Sequence, residues 1–305
     1  MLVKLIKRAI GPLCHRMLLD YFPKVEIELR WSHFSSKPID WDNPRTLNEK
    51  IQWLILYSDT REWTRLADKL LVRDYVKEKG LGDLLVPLLG VWDDADDIDF
   101  EELPERFVLK CNHDSGSTIL VNKNQIYDRK AICTELNAKL KKKYGYNCAE
   151  PHYNNIQPKV LAEMFLDFSD QHVSSSPIDY KVFCYNGEPD VIWVAYNRHP
   201  GKYCNHQTRD LEWNIVNDYC NDDSFYQLAF DEIPKPTSLR QMIEAARVLS
   251  EGFPQVRVDF YEIKGKLYFG EMTFTSDCGR MPWFSETYQS LAGKKINLGL
   301  AKRKK

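Results

Sequence analysis

No stretch of the sequence approaches the roughly 20 consecutive apolar residues needed to span a bilayer, and its 305 residues hold no internal repeat and no long low-complexity segment. Charge of one sign is also missing. Lys and Arg number 42 against 44 Asp and Glu, a formal net charge of -2. That balance removes the global electrostatic case for nucleic acid, which calls for a basic face. Eight cysteines are present without a C-x-x-C pair. Scattered over so long a chain, they read as reduced thiols of a cytoplasmic protein rather than a disulfide scaffold. His199, Cys204 and His206 come nearest to a metal cluster, and their spacing fits no usual zinc pattern. No G-K-[ST] closes a Walker A loop. The acidic run at 94–97 reads as a solvated connection, which leaves a glycosyltransferase without its sugar-nucleotide motif.

With 43% hydrophobic residues, the chain has enough apolar side chains for a sizeable core. Its first 22 residues, MLVKLIKRAIGPLCHRMLLDYF, differ from a signal peptide: Lys7, Arg8 and Arg16 interrupt the apolar stretch and no small-residue cleavage site follows. Leu2, Leu5, Ile6 and Ile10 share a helical face beside Lys4, Lys7 and Arg8. That face either packs on the domain or makes a peripheral contact with the inner face of a membrane. Further on, Thr46 and Glu49 form a T-x-x-E capping box that opens a helix with Leu47, Ile51, Leu54 and Ile55 on one side. The spacing predicts one helix over 64–80, ended by Gly80.

Strands are predicted at 84–92, 106–112, 119–121 and 159–166, with a helix over 128–143. Hairpins follow at 179–197, turned by Asn186-Gly187, and at 255–274, with a helix over 237–251 between them. The order reads as α+β with two lobes: a helical N-terminal segment 1–62, a first lobe 63–158 with a glycine loop, and a second lobe 159–305.

Several charged residues stand where chemistry is expected. In the last hairpin Arg257 and Asp259 share a face, as do Glu271 and Thr273. Asp259 meets Glu271 only if the turn at Lys264-Gly265 holds an odd number of residues, which a three-residue loop with Gly265 left-handed provides. Facing carboxylates repel unless a cation separates them, and hard oxygens at that separation suit Mg²⁺. A salt-bridged surface hairpin is the plainer alternative. Lys110 ends a strand and leads into HDSGST, whose N–H groups and hydroxyls cradle phosphate or simply make a turn. Lys69, near a helix start, would by default be solvent-exposed. Glu163 and Lys181 put charges inside apolar strands, which is costly without partners.

In chain order this set resembles the ATP-grasp superfamily over about residues 64–280. More narrowly, PRTLNEKIQW, LADKLLVRDYV, FVLKCNHDSGS, DYKVFCYNGEP and FGEMTFTSDCG resemble the TupA-like ATP-grasp family of bacterial surface-polysaccharide and teichuronopeptide synthesis, over about residues 40–290. The resemblance implies two lobes with antiparallel sheets gripping ATP, with ATP and Mg²⁺ as cofactors, and a ligase that joins a carboxylate to an amine. It implies that Lys69 and Lys110 bind the nucleotide phosphates while His113, Ser115, Gly116 and Ser117 close over them. Glu163 would face the adenine amino group, and the backbone of Met164 and Leu166 would bind the ring edge. Lys181 and Arg257 would act on the phosphates or the acyl phosphate, and Asp259 and Glu271 would hold Mg²⁺. Where many ATP-grasp enzymes have Glu-x-Asn, this chain has Glu271-Met272-Thr273.

The implied substrates are a sugar acid or glycan-linked carboxylate and an amino acid or other amine. Arg198, His199 and Arg280 are candidates for the acceptor carboxylate. Trp193, Tyr196, Tyr203 and Trp213 would stack on sugars or fill the core. Two other functions stay open: a kinase on the same fold with Asp179 as base, and a non-enzymatic glycan-binding protein.

Overall fold

The computed structural model describes residues 11–199 and 201–304, so the helical face expected at Leu2, Leu5, Ile6 and Ile10 lies outside the described residues. Helices α1 (Pro12–Tyr21) and α2 (Pro23–Phe34) each start on a proline, whose missing N–H is no loss in a first turn. Helix α3 (Leu47–Tyr57) opens on the expected capping box. The Glu49 N–H donates to Thr46 Oγ1 at 3.2 Å and the Thr46 N–H to Glu49 Oε2 at 2.9 Å. Its stripe of Leu47, Ile51, Leu54 and Ile55 is buried.

The single helix expected over 64–80 is two, α4 (Arg61–Ala67) and α5 (Leu71–Glu78). Asp68 is extended, with φ -71° and ψ 114°. Its Oδ1 accepts from the N–H of Leu70 at 2.8 Å and of Leu71 at 3.4 Å. A short acidic side chain thus offers the backbone an alternative to the helix ladder, and Lys69 stands in the break.

The first sheet is antiparallel, with strands β1 (Leu88–Trp92), β2 (Arg106–Cys111), β3 (Ile119–Asn122) and β4 (Val160–Met164) in the order β1-β4-β2-β3. Strand β4, which the sequence division assigned to the second lobe, therefore pairs in the first sheet. One face of this sheet packs under helix α6 (Arg129–Leu140) through Phe107, Leu109, Leu136 and Ala162.

The second sheet holds β5 (Asp179–Tyr185), β6 (Glu188–His199), β7 (Tyr203–Arg209), β8 (Tyr226–Leu228), β9 (Gln255–Ile263) and β10 (Lys266–Thr273), in the order β10-β9-β5-β6-β7-β8. Its pairs are antiparallel except β7 with β8. Helix α7 (Leu239–Ser250) covers one face, and α8 (Glu286–Lys295) packs on α3. Trp63 of α4 stacks on Phe274 just past β10, with centroids 5.0 Å apart, and so ties the helical segment to this sheet. Trp193, Tyr196 and Trp213 belong to its core rather than to an open stacking surface. Among the described residues no helix is long and apolar enough to cross a membrane.

His152 is buried edge-on against Trp63, and neither ring nitrogen has a partner among the described residues. Burial pushes its pKa down to about 3. The unfolded chain takes up this proton near pH 6.5 and the folded chain does not. Stability therefore falls as pH drops below 6.5, by about 1.4 kcal/mol per unit. Glu150, raised by burial to about 7, works in the opposite sense between pH 7 and 4.5. Comparing wild type with His152→Phe isolates the histidine. Between pH 6.5 and 5, denaturant unfolding should shift their difference by about 2 kcal/mol in favour of the variant. A constant difference would refute the assignment.

Candidate active site

A cleft of about 740 Å³ collects Lys69, Lys110, Ser115, Gly116 and Glu163 from the first-sheet side and Lys181, Arg198, Arg257, Asp259 and Glu271 from the second sheet. On the first side, Lys110 pairs across the ladder with Leu161 and Val108 with Glu163, so Lys110 and Glu163 share the face turned from α6. Lys110 Nζ lies 2.5 Å from Glu163 Oε2. Arg73 of α5 approaches Glu163 Oε1 at 3.4 Å and donates to the Val86 carbonyl at 2.8 Å. The strand carboxylate thus has two cationic partners.

Lys69 donates its ammonium to the Asp114 carbonyl and its backbone N–H to the Asn112 carbonyl. Burial lowers its pKa, against the pull of Glu271, and the neighbouring Lys110 lowers it further. Asn112 anchors this corner. Its Nδ2 donates to Asp68 Oδ1 at 2.9 Å and the Gln157 carbonyl at 3.0 Å, and its Oδ1 accepts from the Lys159 N–H at 2.7 Å. One buried amide therefore holds the α4–α5 break, and with it Lys69, to the strand leading into β4.

In the glycine loop Ser117 Oγ accepts from the Cys111 N–H at 2.8 Å and donates to Asp114 Oδ1 at 2.5 Å. Ser115, Gly116 and Thr118 line the cleft, whereas His113 and Ser117 do not. His113 is buried with Nε2 at 3.2 Å from the Lys142 carbonyl, and the Ser117 hydroxyl shapes the loop from within. Met164 and Leu166 are also outside the lining. The Met164 N–H donates to the Pro87 carbonyl at 3.0 Å, and Leu166 lies beyond the end of β4.

The second side depends on register. Lys264 and Gly265 form a two-residue turn, both with positive φ, between paired Ile263 and Lys266. It is not the three-residue loop that the facing carboxylates seemed to require. The odd residue is a bulge at Gly270: the ladder runs Phe269 to Phe260 and then Glu271 to Asp259. A Cβ on Gly270 would meet the Asp259 carbonyl oxygen at 3.0 Å, so any larger residue makes the Asp259 backbone give way.

The cation between these carboxylates is Arg257. Its Nε is 2.6 Å from Asp259 Oδ1, and its Nη2 is 2.8 Å from Asp259 Oδ2 and 2.9 Å from Glu271 Oε1. Nη1 donates to Ser276 Oγ at 3.0 Å. Lys181 Nζ meets Asp259 Oδ2 at 2.5 Å and Asp179 Oδ2 at 3.7 Å, and Arg198 reaches Asp179 at 3.0 Å. Thr273 donates to Glu271 Oε1 at 2.8 Å. Burial pushes the Glu271 carboxyl up, but Arg257, Lys69, Lys181 and the Thr273 hydroxyl outweigh it and hold it at about 2. Burial likewise lowers Lys181, but Asp179 and Asp259 more than compensate and the ammonium ends above its ordinary value.

Glu271, ionised and 40% exposed at its side chain, fits a hard cation. Asp259 fits in donor type, but both its oxygens are engaged. Arg257 and Lys181 compete with a metal for those oxygens, and a phosphate that draws either cation away relieves the competition. Of the other candidates, Arg198 lines the cleft, while His199 and Arg280 do not. His199 packs at a tilt against Tyr203, with ring centroids 4.6 Å apart. Cys148 and Cys278, read from sequence as reduced thiols, are joined by a disulfide, with Cα atoms 5.6 Å apart.

Asp68, Arg73, Asn112 and the Gly270 bulge were not singled out from the sequence. A glycine inside a strand pattern is a known sign of a bulge, and that signal was present. Nothing local marked Asn112 or Arg73, whose partners lie far along the chain.

Two sheets facing across a cleft that gathers lysines, a glycine loop and paired carboxylates have the architecture of an ATP-grasp protein. The model of the TupA-like ATP-grasp family matches residues 49–297, and the chain belongs to that family. Solved structures with a similar fold include a D-alanine–D-alanine ligase from Bacillus anthracis complexed with ATP, at 14% identity and a TM-score of 0.45, over 80% of this chain and 67% of that one. They also include the D-cycloserine synthetase DcsG, at 13% identity and a TM-score of 0.40, over 78% and 71%. A third is the ATP-grasp ligase PsnB complexed with a phosphomimetic variant of its minimal precursor, Mg and ADP, at 10% identity and a TM-score of 0.43, over 92% and 72%. No curated protein matches the sequence.

Two substitutions test how the site is built. Gly270→Val should lower unfolding free energy by about 1–3 kcal/mol, because the Asp259 backbone must move. Asn112→Ala leaves a buried N–H, a carbonyl and a carboxylate short of partners and should cost at least about 2 kcal/mol. Denaturant unfolding measures both, and a loss under about 0.5 kcal/mol in either would mean that the contact is not structural.

Proposed function

We propose that this chain is a Mg-ATP-dependent ligase that joins a carboxylate to an amine through an acyl phosphate. The observation that carries this reading is the convergence of Lys69, Lys110, Lys181, Arg198 and Arg257 with Asp259 and Glu271 on one cleft. A carboxylate does not condense with an amine at neutral pH, because its oxygen is a poor leaving group. Attack of that oxygen on the γ-phosphorus expels ADP and gives a mixed anhydride. The amine nitrogen then attacks the acyl carbon, inorganic phosphate leaves, and the amine proton passes to phosphate or solvent. Charge spreads over the transferring phosphoryl group throughout, so catalysis is chiefly positioning and neutralisation.

In this reading Lys69 and Lys110 take the nucleotide phosphates, and Lys181 and Arg257 take the transferred group. Glu163 of β4 borders the base. Asp259 and Glu271 hold Mg²⁺, which when bound offsets phosphate charge. Closure of the loop at Ser115 and Gly116 keeps water from the anhydride. The family's place in bacterial surface-polysaccharide synthesis suggests a sugar acid or glycan-linked carboxylate, joined to an amino acid or other amine in the cytoplasm at the inner face of the membrane. Arg198 is the cleft-lining candidate for the carboxylate. The kinase alternative is weaker, because Asp179, its base, is already engaged by Arg198 and Lys181. A non-enzymatic glycan-binding role gains nothing from Tyr196 and Trp213, which are buried outside the cleft lining, and Trp193 lines the cleft but is only 1% exposed.

Mg-ATP at about 100 times its dissociation constant should add roughly 2.7 kcal/mol of stability to the wild type. Lys110→Ala and Glu271→Gln should abolish that gain. ADP release should then require both a carboxylate and an amine, with ¹⁸O from a labelled carboxylate appearing in the phosphate. Label-free phosphate, or release with an alcohol alone, would refute the ligase.

A further inference from the structure

Cys148 and Cys278 have no part in the chemistry above, yet both line the cleft. They are 130 residues apart in sequence, and their Cα separation of 5.6 Å sits within the ordinary disulfide range. Both are half-buried and open to a small solute in the cleft. The other thiols are differently placed: Cys14 is exposed and alone, while Cys111, Cys133, Cys184, Cys204 and Cys220 are buried. Burial raises Cys111 to about 11 and Cys184 and Cys220 to about 12, which leaves them inert at neutral pH.

The bond joins two segments that hold opposite sides of the cleft. Just before Cys148, the turn Tyr144–Tyr146 places Tyr144 in the cleft with Ser115, and the Lys142 carbonyl ahead of it lies 3.2 Å from His113 Nε2 of the glycine loop. Cys278 lies in the turn Ser276–Gly279, whose Ser276 accepts from Arg257. Each segment is also anchored from behind. Arg30 donates to the Tyr146 carbonyl at 3.0 Å, and Gln52 Nε2 donates to the carbonyls of Cys278 at 2.8 Å and Gly279 at 3.0 Å. Asp277 and Cys278 are both left-handed without being glycine, an arrangement the surrounding contacts must enforce. Beside the sulfurs, Glu150 accepts from the Thr275 hydroxyl, a hydrogen bond between the same segments.

We propose that Cys148 and Cys278 are a reversible dithiol–disulfide pair that couples the glycine-loop side of the cleft to the Arg257 side. Oxidised, the two sides move as one; reduced, they move independently. The oxidant is a small-molecule disulfide. One cysteine thiolate attacks a sulfur of that disulfide and expels a thiolate. The second cysteine attacks the mixed disulfide and expels the other. The protein loses two S–H bonds and gains one S–S bond, and two small thiols are produced, so atoms and electrons balance. Exchange with a dithiol runs the same steps in reverse. A metal is the competing use of these groups, since the two sulfurs and a Glu150 oxygen lie within 4.8 Å of one another. Glu150 is already committed to Thr275, and a closed zinc site needs a fourth ligand, so the disulfide is the better-supported state. None of this rests on the ligase reading.

The test is hydrogen exchange on the full chain without ligands, after equilibration with oxidised glutathione or with a dithiol reductant, paired with alkylation mapping. In the oxidised sample, Cys148 and Cys278 should resist alkylation after denaturation without carrying glutathione, unlike exposed Cys14, and both should label once reduced. Reduction should speed amide exchange in residues 113–118 and 276–279 by about tenfold or more, with α7 unchanged. Cys148→Ser and Cys278→Ser should each show the faster exchange whatever the redox state. Equal exchange in the two wild-type samples overturns the coupling. Thiols that stay protected under reductant until a chelator is added overturn the pair in favour of a metal site.

Discussion

The site depends on one shared guanidinium. Arg257 touches Asp259, Glu271, Ser276 and Thr273, and through Asp259 it is joined to Lys181. Charges buried this far are tolerated only as a closed set. Here the set closes as Arg257, Lys181 and Arg198 against Asp259, Glu271 and Asp179. The strand order β10-β9-β5-β6 supplies these groups from neighbouring strands: Glu271, then Arg257 and Asp259, then Asp179 and Lys181, then Arg198. Removing Arg257, Lys181 or Asp259 strands a buried charge, which typically costs about 3–5 kcal/mol, whereas Glu271 and Arg198, with side chains 40% and 36% exposed, are partly compensated by water. The sheet is therefore both the platform of the site and a part whose stability the site can undermine.

The first side follows the same rule with fewer members. Glu163 is neutralised by Lys110 and Arg73, and Lys69 leans on a carbonyl of the glycine loop. Every cation proposed to meet phosphate already has an oxygen partner. Nucleotide binding in such a cleft is an exchange of partners rather than the filling of a vacant positive hole. A phosphate oxygen that takes over a cation's donor leaves a carboxylate less engaged, and at Asp259 it would lessen the competition a metal meets.

Local features of the chain were legible because their causes are local. The capping box at Thr46 and Glu49, the turn at Asn186-Gly187 and the alternation of β2 all follow from residues within a few positions of each other. What escaped was set at a distance or by one residue. The helix expected over 64–80 breaks because Asp68 accepts from the N–H groups of Leu70 and Leu71 just ahead of it and from Asn112, which lies 44 positions on. The pairing of Asp259 with Glu271 was anticipated, but its cause was not: parity came from an extra residue at Gly270, while the turn stayed at two. Strand β4 crossed the expected boundary because sheet membership is a long-range choice that periodicity does not encode. Cys148 and Cys278 lack any local signature for the same reason.

Thr273 shows how a departure from a family pattern can be read physically. An asparagine at this position would offer an amide oxygen to a metal. The threonine instead donates its hydroxyl to Glu271 Oε1, the oxygen that Arg257 also holds. Two donors on one oxygen, Arg257 and Thr273 on Oε1, fix the carboxylate's orientation. The chain thus exchanges a possible third oxygen donor for a better-held second one. A metal here would rest on Glu271 and Asp259, and its remaining positions would fall to phosphate and water, the arrangement Mg²⁺ accepts most readily. On this reasoning the substitution narrows the site toward a phosphate-dependent metal, bound with the nucleotide rather than before it.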